Sequence, residues 1–259
     1  MTNQTVLITG AGSGIGKALA HAFKNENANL ILVDKNPSFI DSLRSEISED
    51  RNFVITKVMD VADIDAVSQF QREIEKKQIV VDVLIANAGI SKVSHPDCLT
   101  EELLHEIMNV NFFGTTNFVL SFLPAMRKRK NGHIVVTSSL AGVRGLPGSA
   151  AYCASKAAQA TFIESLRIDL RKENIKFTTF FPGFVDTPIN LPLEGLQKTP
   201  FKISPEKAAN IMMRAIKKQR RTKAFPVIPA LLGYFARFLS SFTFDLLMRR
   251  HVIDFGESK

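Results

Sequence analysis

The feature that most constrains the fold of this chain is the alternation of short apolar segments with longer amphipathic ones. The short segments are rich in Val, Ile, Leu and Phe, which favours buried strands, and the longer ones carry apolar residues at helical spacing. Such alternation predicts an α/β protein, a doubly wound parallel sheet with helices on both faces. Strands covered on both faces are expected to be almost continuously apolar, as these are. The seven predicted strands are Val6–Thr9, Asn29–Val33, Phe53–Val58, Val81–Ala86, His133–Thr137, Lys176–Phe181 and Ala224–Ile228.

The amphipathic segments between these strands predict six helices. No internal repeat, low-complexity tract or linker divides the 259 residues, so we expect one domain over residues 1–259. With 45% hydrophobic and 22% charged residues, the composition is that of a globular protein and excludes a disordered one. The predicted helices lie near Ile15–Asn25, Phe39–Ser48, Ile64–Lys77, Glu101–Arg129, Ala151–Lys172 and Pro205–Gln219.

Cysteine usage and the start of the chain indicate a cytoplasmic protein. Cys98 and Cys153 are too few for a disulfide framework and lack metal-ligand spacing, so we expect a reducing compartment and no metal site. The first predicted strand begins almost at the N-terminus, which leaves no room before it for a secretory signal.

The net charge of +8 is concentrated in two basic clusters, Arg127–Lys130 and Lys217–Lys223. Both lie where a predicted helix ends, and cations there complement the helix dipole. A solvated surface is the favoured interpretation; an anionic membrane surface and an anionic substrate stay open. Nucleic acid is disfavoured, because the chain has no recognisable binding module and no aromatic residues between its basic ones.

A glycine-rich turn, Thr9–Gly16, joins the first predicted strand to the first predicted helix. Such a turn lets the backbone approach a pyrophosphate, and the helix N-terminus offers it free N–H groups and positive dipole. The predicted contacts are Gly10, Ser13, Gly14, Ile15 and Gly16.

Asp34 lies 18 residues after Gly16, at the end of the second predicted strand. A carboxylate there can accept hydrogen bonds from ribose hydroxyls and would repel a 2′-phosphate. This favours NAD(H) as the cofactor. The neighbouring Lys35 could offset the repulsion, so NADP(H) stays open.

Tyr152 and Lys156 are four residues apart in a predicted helix and therefore share a face. A nearby ammonium lowers the pKa of a phenol, which would let Tyr152 exchange a proton with an alcohol or carbonyl oxygen. The plainer interpretation is a surface tyrosine packed beside a lysine stem. Ser139 follows the strand that ends at Thr137, where a hydroxyl can hold the substrate oxygen.

Two further polar positions stand out. Asn87, Ala88 and Gly89 follow the predicted strand that ends at Ala86, so they form a turn at the same edge of the sheet. Asn111 interrupts a helical segment in which asparagine is a poor helix former, which hints at a buried polar role.

Together these residues resemble the short-chain dehydrogenase/reductase family over roughly residues 5 to 190. Thr9–Gly16 resembles its T-G-x-x-x-G-x-G turn, and Asn87–Gly89 resembles its N-A-G motif. Other elements match in order and spacing: the adenine-contacting pair Asp60 and Val61, the catalytic tetrad Asn111, Ser139, Tyr152 and Lys156, and the nicotinamide-facing segment of Pro182 and Gly183 with Val185 and Thr187 beyond it.

The resemblance implies a Rossmann-type sheet of about seven strands, a homodimer or homotetramer, and roles for the tetrad. Tyr152 would be the general acid/base, and Lys156 would bind the nicotinamide ribose and depress the tyrosine pKa. Ser139 would position the substrate oxygen, and Asn111 would hold a water behind the lysine. The alternatives are an NADPH-dependent carbonyl reductase and a cofactor-sensing or membrane-associated binding protein with little turnover.

Two segments beyond the shared motifs bear on the substrate. Residues 188–204 mix proline, polar and apolar residues, which is typical of a substrate lid. Residues 225–250 predict an apolar helical extension. Its stretch after Pro229 is short for a helix that spans a bilayer and carries Arg237 near its middle. It could cover the substrate cleft or a subunit interface, lie on a membrane surface, or belong to the core. An extension that covers the cleft or an interface, or that lies on a membrane surface, favours an apolar, lipid-, steroid- or fatty-like substrate.

Overall fold

The computed structural model describes residues 3–47, 52–190 and 201–249. Its seven strands form one parallel sheet in the order β3-β2-β1-β4-β5-β6-β7, which confirms the predicted doubly wound architecture. The order reverses between β1 and β4, and a ligand crevice is expected at the carboxyl ends of those two strands. The strands are β1 Thr5–Thr9, β2 Asn29–Asp34, β3 Val54–Val58, β4 Val83–Ala86, β5 Gly132–Thr137, β6 Ile175–Pro182 and β7 Thr222–Phe225.

Helices cover both faces of the sheet, and alternate strand side chains point into two cores. Val6 and Ile8 of β1 belong to one core, which includes buried residues of α1, α2 and α7. Leu7 belongs to the other, which includes buried residues of α3, α5 and α6. The helices are α1 Gly14–Lys24, α2 Pro37–Glu46, α3 Ile64–Lys76, α4 Glu101–Met108, α5 Gly114–Arg129, α6 Ala150–Asp169, α7 Pro205–Lys217, α8 Val227–Phe238 and α9 Ser241–Met248.

The predicted helix Glu101–Arg129 is wrong as one continuous helix. The structure divides it into α4, a π-helical turn over Asn109–Phe113, and α5. The reason is local to Asn111, whose carbonyl oxygen accepts hydrogen bonds from the side chains of Thr115 and Gln159, both at 2.8 Å. Turns of this kind are frequent at functional sites.

The C-terminal extension also differs from its prediction. The seventh strand covers Thr222–Phe225 instead of 224–228, because α8 already begins at Val227. Pro229 lies in the first turn of α8, where a missing N–H costs little. The extension is two helices, because α8 ends at Phe238 and the Ser240 hydroxyl accepts the Thr243 N–H at 3.2 Å to start α9.

No helix within the three described ranges is both long enough and apolar enough to cross a membrane. Of the predicted lid, residues 191–200 lie outside the described residues. Its two ends are described: Pro188–Asn190 form a 3₁₀ turn, and Ile203 pairs with Val185.

Candidate active site

The glycine-rich turn has a backbone that needs glycine at several positions. Gly10 and Gly14 have φ values of +64° and +50°, in the left-handed region that side chains disfavour. A Cβ on Gly16 would lie 1.9 Å from the carbonyl oxygen of Gly10, so the strand and α1 could not approach each other this closely. The geometry therefore accounts for glycine at these three positions.

The N-terminus of α1 is suited to an anionic group. Its first N–H groups have no acceptor within the helix, as at every helix start. Ser13 precedes the helix but makes no capping hydrogen bond with its side chain, and the first turn contains no acidic residue. By contrast, α3 and α7 are capped by the side chains of Asp63 and Ser204. The α1 terminus thus fits a cofactor pyrophosphate.

Asp34 lies beside this turn, as predicted. Its carboxylate accepts the N–H of Gly12 at 2.9 Å through one oxygen and the N–H of Asn36 at 3.0 Å through the other. These bonds hold the carboxylate against the turn and leave further lone pairs for a ribose hydroxyl. Lys35 is exposed next to it.

Asp60 and Val61 follow β3 across the crevice. The exposed Asp60 carboxylate accepts the Ala62 N–H at 2.9 Å. Val61 is buried, its carbonyl oxygen accepts the side-chain N–H of Asn117 at 3.0 Å, and its side chain packs against Gly114. This pair is therefore fixed against α5.

The segment from Asn87 to Gly89 connects the glycine-rich turn to the predicted catalytic residues. The N–H groups of Asn87 and Ala88 donate to the Thr9 hydroxyl at 3.0 and 3.1 Å. A Cβ on Gly89 would lie 3.1 Å from Asn111 Oδ1 and 3.3 Å from Lys156 Nζ. Glycine at 89 therefore lets both side chains come close to the backbone.

Ser139, Tyr152 and Lys156 converge between the end of β5 and the first turns of α6. Lys156 Nζ donates to the Thr137 carbonyl oxygen at 3.0 Å and lies 5.7 Å from the centre of the Tyr152 ring. The Ser139 side chain forms a hydrogen bond with Tyr152 and accepts the Ala141 N–H at 3.1 Å. The structure thus brings the predicted phenol, ammonium and hydroxyl together.

Burial dominates the electrostatics of this pair. It raises the pKa of Tyr152 to about 12, although the side chain is partly accessible to solvent, and the hydrogen bond from Ser139 only partly opposes this. Burial also lowers the pKa of Lys156 to about 7. The expectation that the lysine ammonium would set a lowered tyrosine pKa is therefore wrong for the chain alone, because desolvation penalises both charged forms.

Asn111 is fully buried in the π-helical turn. Its Oδ1 accepts the Ile90 N–H at 2.8 Å, and its Nδ2 donates to the Ile90 carbonyl at 3.0 Å and to Ser155 Oγ at 2.9 Å. The predicted buried polar role is thus a structural link between the segment after β4 and α6.

The segment after β6 returns over the cofactor turn. The Gly183 N–H donates to the Phe225 carbonyl at 2.7 Å, and Pro182 and Val185 are buried. A Cβ on Gly14 would lie 2.8 Å from Thr187 Cγ2, so this threonine contacts the glycine-rich turn. The predicted nicotinamide-facing segment therefore lies against the predicted pyrophosphate site.

Sequence reasoning missed two supporting residues of α6. Ser155 and Gln159 hold Asn111, while Thr9, already part of the predicted turn, also ties β1 to the segment after β4. Ser155 and Gln159 lie three and seven residues after Tyr152, a helical spacing that would have placed them on one face with it. No group of three or more His, Cys, Asp or Glu side chains in the described ranges is arranged to hold a metal ion.

Comparison with known proteins agrees with this geometry. A family model described as short chain dehydrogenase matches residues 4–195. The chain belongs to the short-chain dehydrogenase family. It is therefore an NAD(P)-dependent oxidoreductase of the kind that acts on alcohol and carbonyl groups.

Individual relatives cover most of the chain. A protein of Myxococcus xanthus described as an uncharacterized oxidoreductase is 33% identical over 254 residues, which cover 96% of this chain and 98% of that protein. An alcohol dehydrogenase from Thermococcus sibiricus, solved with 5-hydroxy-NADP, has a TM-score of 0.76 and 26% identity, covering 86% of this chain and 94% of its own. A 3-oxoacyl-[acyl-carrier protein] reductase from Brucella melitensis, solved with bound NAD, has a TM-score of 0.75 and 27% identity, covering 86% and 88%.

Proposed function

We propose that this protein transfers a hydride between NAD(H) and the alcohol or carbonyl carbon of an apolar, lipid-, steroid- or fatty-like substrate. The observation that carries the proposal is the convergence of Ser139, Tyr152 and Lys156 at the carboxyl end of β5, beside a helix terminus fitted to a pyrophosphate. A phenol, a hydroxyl and an ammonium at one site are what proton exchange with a substrate oxygen requires.

A nicotinamide cofactor, when bound, would supply the hydride chemistry, and the residues of the chain would handle the proton. Ser139 holds the substrate oxygen next to Tyr152, which takes the proton of an alcohol or gives one to a carbonyl oxygen. Lys156 binds the nicotinamide ribose and stabilises the phenolate. Asn111 positions the segment beyond Gly89 and so supports the lysine; a water held behind Lys156 would complete a proton relay.

The choice of NAD(H) rests on Asp34. Its carboxylate borders the glycine-rich turn, where it favours ribose hydroxyls and opposes a 2′-phosphate. NADP(H) is the alternative, because the exposed Lys35 adjoins Asp34 and one similar structure carries an NADP derivative. We propose that Gly10, Ser13–Gly16, Asp60, Val61 and the segments Asn87–Gly89 and Pro182–Thr187 complete the cofactor site.

Apolar neighbours of the catalytic serine support an apolar substrate. Leu140 follows Ser139 directly, and its Cδ1 would lie 3.2 Å from a Cβ on Gly183. Phe181 of β6 contacts the ring of Tyr234 from α8. We also propose a homodimer or homotetramer, as the family implies, and the exposed Leu120 of α5 and Ile168 of α6 are available to a subunit contact.

The experiment that tests the proposal compares the two tyrosines of the chain, Tyr152 and Tyr234. With a panel of apolar alcohols and ketones, Tyr152→Phe should lower turnover by about 10²- to 10⁴-fold, because it removes the acid/base hydroxyl. Cofactor binding should persist, since the hydroxyl is not needed for it. Tyr234→Phe is the matched control and should retain turnover.

Equal turnover in wild type and Tyr152→Phe would refute the assigned role. A wild type that binds cofactor but turns over no substrate in the panel would instead favour a cofactor-sensing protein.

A further inference from the structure

The helices α8 and α9 are unusual because their large apolar side chains point to solvent. The helices lie between residues 227 and 248 and follow the edge strand β7. We call the exposed apolar side chains the α8–α9 surface: Val227, Ile228, Leu231, Leu232, Tyr234, Phe235, Phe238, Phe242, Leu246 and Leu247. Soluble proteins rarely expose so many contiguous apolar groups unless something binds them.

The inward side of α8 is made of small residues. Ala230 is buried, and the position of a Cβ on Gly233 would lie 3.7 Å from Leu140 Cδ2. Tyr234 lies at the border between this side and the α8–α9 surface: it is 37% exposed, and its ring meets the Phe181 ring at 6.3 Å between centroids. The helix therefore packs closely on the protein through its small face and presents its large face outward, which argues against the interpretation that this segment is ordinary core.

Arg144 fixes the orientation in which the large apolar side chains of α8 and α9 face solvent. Its guanidinium donates to the carbonyl oxygens of Ala236 at 2.7 Å and Leu239 at 2.9 Å, where α8 ends, and lies 4.1 Å from the Phe244 ring of α9. One side chain thus holds both helices. The apolar surface is a built feature of the fold and is held in place by specific contacts.

We propose that the α8–α9 surface binds the surface of an anionic phospholipid bilayer. Charge is the first argument. The exposed charged groups on the two helices are Arg237 and Asp245, Arg249 follows α9, and the whole chain carries +8. A basic protein with an apolar face is attracted to an anionic bilayer, and its side chains then enter the interface.

Length is the second argument. At 12 and 8 residues, α8 and α9 are about 18 and 12 Å long, well short of the roughly 30 Å hydrocarbon core. Their length excludes spanning, so on a bilayer these helices would lie in the plane of the interface with their apolar face toward the lipid.

A second copy of the chain fits this surface less well. Each copy carries a net charge of +8 as a whole chain, so two copies repel each other on approach. Phe238 is 85% exposed and Phe242 is 77% exposed, so both rings project outward from the surface. Projecting aromatic rings suit insertion among lipid headgroups.

The α8–α9 surface lies on the same side of the protein as the turn that carries Ser139. Gly233 of α8 packs on Leu140, the neighbour of Ser139, so a bilayer bound to the outward side of α8 would lie about one helix diameter, ~10 Å, from the turn that carries Ser139. An apolar substrate could then reach the cleft directly from the lipid. Only this last step rests on the proposed function; binding to vesicles is measured without turnover and stands or fails separately.

The test is flotation of the full chain with lipid vesicles. One set of vesicles is phosphatidylcholine alone, and the other also contains about 30% phosphatidylglycerol, which gives a strongly anionic surface. Wild type should float with the anionic vesicles and much less with the neutral ones. Phe238→Glu combined with Phe242→Glu should weaken binding by about a hundredfold, because each inserted ring contributes on the order of tenfold.

The matched control combines Ile64→Glu with Val80→Glu, which makes the same charge change at apolar side chains that are 59% and 50% exposed outside the α8–α9 surface. This control should float like wild type, and equal NADH binding by all three proteins would show that they are folded. Floating of the phenylalanine variant like wild type would overturn the proposal. So would a wild type that does not float with anionic vesicles; if that wild type were also a dimer that this variant converts to a monomer, the surface would belong to a second copy of the chain.

Discussion

Lys156 shows, at the scale of a single residue, how burial sets the chemistry of this protein. Its ammonium donates to the Thr137 carbonyl oxygen at 3.0 Å, yet burial still lowers its pKa to about 7. The Tyr152 phenol beside it is shifted the opposite way, to about 12. For the phenol to exchange a proton near neutral pH, the Lys156 ammonium and the Ser139 hydroxyl must together offset the burial.

His133 is a second buried titratable residue, at the opposite end of the sheet. It lines a cavity of about 640 Å³ formed at the amino ends of β4, β5 and β6, far from the crevice that holds Tyr152. Its Nε2 pairs with Thr178 Oγ1 at 2.8 Å. Burial, with a smaller effect from Lys176, lowers its pKa from 6.5 to about 4. We propose that the active site is in the crevice, because the proposed catalytic groups Ser139, Tyr152 and Lys156 converge there.

The lowered pKa of His133 predicts a loss of stability in acid. Between pH 6.5 and pH 4 the unfolded chain binds a proton at this histidine and the folded chain does not, so the free energy of unfolding falls as the pH falls. The contribution reaches about 3 kcal/mol at pH 4, from the difference between the two pKa values.

Urea denaturation at a series of pH values measures this contribution. His133→Gln should show a shallower decline between pH 6.5 and pH 4 than wild type, whereas His105→Gln, at an exposed position, should follow wild type. Parallel declines for wild type and His133→Gln would show that His133 titrates normally.

At the scale of elements, Arg144 joins the catalytic turn to α8 and α9. Replacement by Met keeps the length of the side chain but removes two hydrogen bonds to the end of α8 and the cation over Phe244. We expect the free energy of unfolding to fall by about 2 kcal/mol. Amide exchange should quicken most strongly within residues 227–248, because both helices lose a shared contact.

The control is Arg44→Met, an exposed arginine in the last turn of α2. Amide exchange measured by mass spectrometry should be unchanged in α8 and α9 of this variant. If Arg144→Met also left exchange there unchanged, the two helices would be held by their packing on β7 and Leu140 alone.

The sequence predicts the bounds of the strands better than it predicts interruptions within the helices. The first six strands were predicted to within about two residues at each end, because strands covered on both faces give clear apolar segments. The π-helical turn was not predicted, because it depends on hydrogen bonds from Thr115 of α5 and Gln159 of α6 to the Asn111 carbonyl oxygen. The start of α9 at Ser240 rests on a local cap that an apolar stretch conceals.

At the scale of the whole molecule, the alternation of segments predicted the doubly wound sheet, and the sheet in turn collects the predicted site. Thr9–Gly16, Asn87–Gly89 and Ser139 all follow strands, and parallel strands deliver their carboxyl ends to one edge. The exposure of the apolar face of α8 to solvent could not be predicted in this way. Helical spacing shows that an apolar face exists, but only the packing of Gly233 on Leu140 shows that this face is turned outward.

A fluorescence titration of wild type with NADH and, separately, with NADPH shows whether the crevice binds a dinucleotide and which of the two it prefers. The chain has no tryptophan, so the nicotinamide signal has little protein background. Asp34→Asn, which removes the charge beside the glycine-rich turn, is compared with Asp65→Asn at an exposed position in α3.

NADH should bind more tightly than NADPH by about tenfold or more, the size of one unfavourable charge contact. Asp34→Asn should narrow that difference, and Asp65→Asn should preserve it. Tighter binding of NADPH would contradict the assignment of NAD(H), and binding of neither nucleotide would contradict the assignment of the crevice as a dinucleotide site.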